Sequence, residues 1–224
     1  MSEPPPQTWV ERVRLPFDHD RARISGDWQA CAEALNRVVA LEAYEPVGEG
    51  EYRHRSAQLD LGRVQAVATA QTDIAIQGRL CRPGRAFLRL PLAGSIAMRQ
   101  GQRRFILAPG RASFDWDDSS GYEARTTGSA LLVLSLDPQR IAAAAALLRG
   151  PQDDPSPWLK RLPEQRLLGE ELAALPLLTS QIERILQLAD RRSGPERRAV
   201  SPRLAELLER AVALMLFPQL IEPG

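Results

Sequence analysis

Apolar positions change their spacing twice along the chain. From Trp28 they recur at helical intervals, with Trp28, Cys31, Leu35, Val38 and Val39 on one face and Asp27 placed to cap the first turn. This predicts an amphipathic helix to about Leu41, ended by Pro46, Gly48 and Gly50. Between Tyr52 and Leu136 the texture shortens to nine alternating or β-rich segments. They run near Arg53 to Leu59, Val64 to Ala70, Ile74 to Leu80, Phe87 to Leu92, Ile96 to Arg99, Phe105 to Leu107, Ala112 to Trp116, Tyr122 to Thr126 and Ala130 to Leu136. Gly62, Pro83-Gly84, Gly94, Gly101, Pro109-Gly110 and Gly121 separate them, residues that let a backbone reverse. Nine short strands joined in this way predict an antiparallel sandwich or barrel.

After Leu136 the period becomes helical again. Asp137 and Pro138 open a helix to about Arg149, followed by a proline-rich connection from Pro151 to Pro163. A stretch near Arg166 to Leu175 reads as helix stopped by Pro176, and another runs from about Ser180 to Arg191. Ser201-Pro202 opens the last, with Leu204, Leu207, Leu208, Ala211, Val212 and Met215 in a wide apolar stripe and Pro218 at its end. The stripe suits either a second copy of itself or the chain's own barrel. The expected organisation is a flexible arm over residues 1–25, able to dock onto the fold, a barrel with its leading helix over 26–140, and a helical linking and dimerisation segment over 141–224.

Composition narrows the functions available. In 224 residues, 44% hydrophobic and 25% charged, there is enough apolar material for a real core. The net charge of +1 removes the overall attraction to phosphate that a DNA-binding domain carries, so direct DNA binding by this chain alone is not expected. Lys160 is the sole lysine, an arginine-heavy usage typical of GC-rich bacterial coding sequence. The opening Met-Ser-Glu-Pro-Pro-Pro lacks the pattern of a signal peptide, and the longest wholly apolar run, Ile141 to Leu148, is too short to span a membrane. A cytoplasmic location without membrane partners is expected. Cys31 and Cys81 form neither a disulfide framework nor a metal spacing and read as buried thiols. The only histidines, His19 and His54, are spaced with no other ligand and read as surface residues; no metal, cofactor or catalytic residue is expected.

The run Phe87-Leu-Arg-Leu-Pro-Leu-Ala-Gly-Ser-Ile-Ala-Met-Arg-Gln-Gly-Gln-Arg-Arg-Phe-Ile-Leu-Ala-Pro-Gly110, followed by Ser113-Phe-Asp-Trp-Asp-Asp-Ser-Ser-Gly-Tyr122, resembles the ligand-sensing domain of AraC-type transcriptional regulators. The shared order is a strand, a glycine turn near Gly94, a strand ending in Gln-Gly, a Pro-Gly corner, and an Asp-containing strand leading to an aromatic. Ala34-Leu-Asn36, Tyr52-Arg-His-Arg55 through Leu61-Gly62, and Leu131-Val-Leu-Ser-Leu-Asp-Pro138 resemble its flanking helix, first strands and exit into the linker helix. The resemblance covers about residues 27 to 215. It implies an α+β fold: a cupin-like antiparallel β-barrel, or jelly roll, with an N-terminal helix and a C-terminal helical tail. It further implies sensing of a small organic effector and homodimerisation, without catalysis. The helix-turn-helix reader of the complete regulators has no counterpart in residues 141–224. Other readings are a non-catalytic module pairing with a complete paralogue, and a cupin-class enzyme.

Between Asp73 and Asp115 there are eight arginines and no acid: Arg79, Arg82, Arg85, Arg89, Arg99, Arg103, Arg104 and Arg111. They read either as a basic barrel for an anionic effector or as solvated outward positions paired with Asp115, Asp117 and Asp118. Arg89, in mid-strand, is the candidate ligand contact, although the parity that turns Leu88, Leu90 and Leu92 inward turns it outward. Phe87, Met98, Phe114, Trp116 and Tyr122 are candidates to line a cavity or to pack the core, Trp116 foremost because its N–H is a polar handle.

Overall fold

The computed structural model describes residues 8–18, 22–36, 40–79, 84–116, 121–163 and 165–221. Helices α1 (Trp9–Arg12) and α2 (Trp28–Asn36) precede strands β1 (Ala40–Pro46), β2 (His54–Asp60), β3 (Gln65–Gln71) and β4 (Ile74–Arg79). Strands β5 (Ala86–Gln100), β6 (Arg103–Leu107), β7 (Ala112–Trp116) and β8 (Gly121–Leu136) complete the main sheet. Then come helices α3 (Pro138–Arg149) and α4 (Ser156–Arg161), strand β9 (Gln165–Leu168), and helices α5 (Leu175–Asp190) and α6 (Gly194–Leu216).

The strand pairs are all antiparallel. β5 and β8 pair along nearly their full lengths and belong to two half-sheets. Their Ala86 and Leu136 ends sit in the order β2-β3-β8-β5-β7-β9, and their Gln100 and Gly121 ends in the order β1-β4-β8-β5-β6. The two half-sheets face each other as a cupin-like barrel that remains open, with edges at β1, β2, β6 and β9 among the described residues.

Four of the expected short strands fuse into β5 and β8, because Gly94 bends its strand instead of reversing it. Gly94 has φ +69°, and a Cβ there would lie 1.7 Å from the carbonyl oxygen of Gly128. Only glycine permits that approach, and it places bulges in the ladder on either side of Ala93.

Both faces of the first half-sheet are covered. Leu88, Leu90, Phe114, Leu132, Leu134 and Leu136 pack against the helical layer of α3, α5 and α6. On the other face Phe87, Val67 and Val133 meet Tyr44, Ile74 and residues of α2, filling the barrel interior. The expected parity is therefore reversed. The more apolar face of β5 meets the helices, while Phe87 and Arg89 turn into the barrel, where polar groups find partners on the opposing walls.

Helix boundaries also differ from expectation. α2 ends at Asn36, whose side-chain oxygen accepts a hydrogen bond from the Leu41 N–H at 3.0 Å, a local alternative to further helical turns that leaves residues 40–46 free to be β1. Pro176 starts α5 rather than stopping a helix, since proline suits a first turn. Residues 165–168 are strand because they complete the free edge of β7. α6 begins at Gly194 and carries Pro202 in its interior, and the connection after Pro151 holds α4, whose Trp158 packs edge-on against Phe217 at 5.0 Å.

The first described segment is docked. Val10, Leu15 and Phe17 are buried in the main core, Arg55 donates to the Val13 carbonyl, and the Asp18 N–H donates to Asp190 at 2.8 Å. At the other end of the chain, Leu208, Ala211, Val212 and Met215 of the α6 stripe are buried in the chain's own core and Leu204 is partly buried against it. Leu207 alone of the six stays exposed, at 40%. The helix spends its stripe on its own fold.

Candidate functional site

Register fixes which side chains meet inside the barrel. Phe87 stands opposite Asp115 and Ser135, and Arg89 opposite Ser113 and Val133, so all six share the inner face. Arg89 and Asp115 form a buried ion pair, 4% and 1% exposed. The Arg89 guanidinium lies 5.9 Å from the centre of the Phe87 ring and 5.8 Å from that of Tyr122, inside cation–π range. Burial pushes the Tyr122 phenol above its usual value, opposed by the positive charge of Arg89. Met98 packs beside Tyr122 with Ile96, Leu107 and Ala124.

Beside this wall a cavity of about 290 Å³ opens between β6 and the β7–β9 pair, lined by Arg103, Arg104, Phe105, Ser113, Arg166 and Leu167. Ser113 is the point of contact, being both cavity lining and the cross-strand neighbour of Arg89. Its hydroxyl is buried and has no hydrogen-bond partner among the described residues. Arg166 bridges outward, donating to the carbonyl of Leu216 at the end of α6 at 2.5 Å. A wider concavity of about 660 Å³ lies on the outer face of β4, β8, β5 and β6 over Ala75 and Ala97.

Further along the interior, α2 closes the barrel with a second polar cluster. The Tyr44 hydroxyl donates to Gln71 Oε1 at 2.6 Å, lies 2.8 Å from the Tyr52 hydroxyl, and is 3.2 Å from Cys31 Sγ. Burial raises the Cys31 thiol and both phenols, so all three stay protonated at neutral pH. Cys31 is the buried thiol expected, whereas Cys81 lies outside the described residues.

Of the six candidate ligand residues, the structure brings Phe87, Arg89, Met98 and Tyr122 together on the inner side. Phe114 and Trp116 are on the opposite face, toward the helices, where Trp116 Nε1–H donates to the Leu162 carbonyl at 3.4 Å. His54 is buried rather than on the surface, because β2 turns it inward against Tyr52, with ring centres 5.5 Å apart. His19, Arg82, Asp117 and Asp118 lie outside the described residues. Among the described residues, Arg79 pairs with Glu42, Arg89 with Asp115 and Arg99 with Glu123. Ser113 and Arg166 were not singled out from the sequence. The polar alternation of Ser113 and Asp115 across Phe114 was the available signal for the first; Arg166 depends on β9. Among the described residues no three His, Cys, Asp or Glu side chains gather as a metal site would need, and no helix is long and apolar enough to cross a membrane.

Against solved structures, the chain superimposes on the AraC-like transcriptional activator CuxR over 87% of its own length and 69% of the other's, with a TM-score of 0.56 and 16% identity. The chain shares the fold of that structure. Shorter matches, each with a TM-score of 0.32, are to the Cupin_2 domain of an XRE family transcriptional regulator from Enterobacter cloacae and to KdgF from Halomonas sp.. The first has 9% identity over 37% of this chain and 95% of the other, the second 12% over 42% and 86%. No family model and no curated protein matches the sequence.

Proposed function

We propose that the chain is the effector-binding part of a transcription regulator, taking a small organic molecule through the gap between β6 and β9 against the Arg89–Asp115 wall and performing no chemistry on it. One observation carries this reading: a cavity opens onto a buried polar inner face in a fold shared with a transcriptional activator over 87% of the chain. Phe105 and Leu167 would hold the body of the ligand, and Ser113 would fix its polar end. DNA reading would belong to another domain or partner, in the cytoplasm.

A thermal-shift panel of small organic molecules tests it. A ligand at about 100 times its dissociation constant stabilises by about 2.7 kcal/mol. Leu167→Trp, which fills the cavity from its partly exposed rim, should abolish that gain with little effect on the unliganded melt. Turnover of the ligand, or equal stabilisation of the variant, would replace this reading. We assign self-association to the outer surface of α3 and α6, each of which carries an exposed leucine, Leu147 at 45% and Leu207 at 40%. Leu147→Glu with Leu207→Glu should halve the mass of a dimer in light scattering.

A further inference from the structure

We infer that Arg63, Glu209 and Arg140 form a latch between the barrel and its helical layer that opens when Glu209 takes up a proton. Of the acids on α6 only Glu209 is buried, at 2% exposed. Arg63, on the turn from β2 to β3, places Nε 2.8 Å from its carboxylate, and Arg140, in the first turn of α3, places Nε 3.9 Å from the same oxygen. One carboxylate thus joins the barrel to two helices. Arg63 also donates to the Pro202 carbonyl at 3.1 Å, while Arg85 ties the turn itself to the barrel wall, donating to the carbonyls of Arg63 at 3.0 Å and Ser135 at 2.6 Å. The side of the turn that faces α6 is therefore the side that can let go. The latch works whether or not the barrel holds an effector.

Two features make the contact releasable. Arg63 Nε and Glu209 Oε1 are close but not aligned, and neither atom has a hydrogen-bond partner among the described residues, so charge alone holds the two together. Arg63 and Arg140 also keep 30% and 47% of their side chains exposed, and a cavity of about 360 Å³ reaches them between α3 and α6 along Ala143 and Ala144. With the carboxylate neutral, both guanidiniums can turn into water. Arg89 and Asp115, whose side chains are 5% and 2% exposed, have no such exit.

Burial is what brings the proton within reach. It raises the Glu209 carboxyl above the usual 4.5, against the pull of Arg63 and Arg140, and Asp137 at the α3 cap adds to the rise. On α6 itself Glu206 is paired with Arg210, and Arg203 faces the same cavity. Arg85, ahead of β5, and Asp60, at the end of β2, lie near the turn. α5, which also packs on α6, carries Glu183, Arg184 and Asp190, and burial raises the Glu183 carboxyl as well. Because the folded chain holds the Glu209 proton more readily than the unfolded chain, this group favours folding fully below the usual 4.5 and loses that contribution as pH rises through the folded value. Protonation therefore frees the junction without unfolding the chain.

The test is hydrogen exchange of the full chain between about pH 7.5 and about pH 5, corrected for the intrinsic pH dependence of exchange and referred to residues 86–100 so that changes in overall stability cancel. Residues 61–64 and 199–210 are expected to exchange about fivefold faster at the lower pH. Glu209→Gln should show the faster exchange at both pH values, with a urea midpoint at about pH 7.5 no lower than that of the unchanged protein. Glu183→Gln should leave the step in place. Should Glu209→Gln fail to fold, Arg63→Gln, altered on the turn, should remove the step equally. No step in the unchanged protein, a step that survives Glu209→Gln or Arg63→Gln, or a step lost in Glu183→Gln overturns the inference. A Glu209→Gln midpoint that falls as exchange rises overturns it as well, since the three residues would then prop the fold and not latch it.

Discussion

Arg89 shows how a single residue can be found in the sequence and still be given the wrong direction. Its place in a strand and among arginines was legible; its inward orientation was not, because parity assigns two faces without saying which one meets helices. Alternating leucines and polar groups read as a strand with one solvated face, whereas both faces of β5 are covered here, the leucines by helices and Phe87 and Arg89 by the barrel. Removing one partner of the Arg89–Asp115 pair strands the other charge in the barrel. Asp115→Ala should therefore cost about 3–5 kcal/mol in urea unfolding, while Arg89→Leu with Asp115→Leu together should cost less than Asp115→Ala alone. His54 allows a pH test. Burial holds its imidazole below the usual 6.5, against the opposing pull of Asp27 and a hydrogen bond with the Ser25 backbone. The unfolded chain takes up a proton near that value which the folded chain refuses, so this contribution is complete above about pH 6.5 and is lost as pH falls through the folded pKa. His54→Gln should flatten the decline in urea midpoint between about pH 7.5 and about pH 5.

At the level of elements, the strands with local punctuation were readable and the two defined by distant partners were not. β7 is announced by the Pro109-Gly110 corner and its own alternation, but β9 exists because Phe114 pairs with Arg166 and Ala112 with Leu168, a relation no local window contains. The α3 start was legible because its cap is local: the Asp137 side chain accepts from the Gln139 N–H at 2.9 Å. α6 was readable in its stripe but not in what the stripe faces, since an apolar face looks the same whether its cover is the chain's own core or a second copy. The helix orientation predicts a sharp contrast one residue apart. Leu208→Ala should lower stability by about 2–5 kcal/mol, whereas Leu207→Ala should change it by no more than about 0.5 kcal/mol. Equal effects in denaturation would mean that α6 is rotated from the orientation described.

For the whole molecule, the open barrel and helical layer form one body because β5 and β8 run through both half-sheets. The arrangement depends on the crossing at Gly94 and Gly128. Gly94→Ala, forced into the Gly128 carbonyl, should cost about 4 kcal/mol or more, while Gly110→Ala, at φ +88° with open space around it, should cost about 1–3 kcal/mol of backbone strain. Comparable melting temperatures for the two would contradict the close approach. Trp9 lies against Gly128 on the other side, so the docked N-terminal segment covers the same crossing. The two long strands also act as warp threads common to both cloths. Deuterium should enter the amides of residues 86–100 and 121–136 last, and at one shared rate, because neither half can fray without drawing the other open.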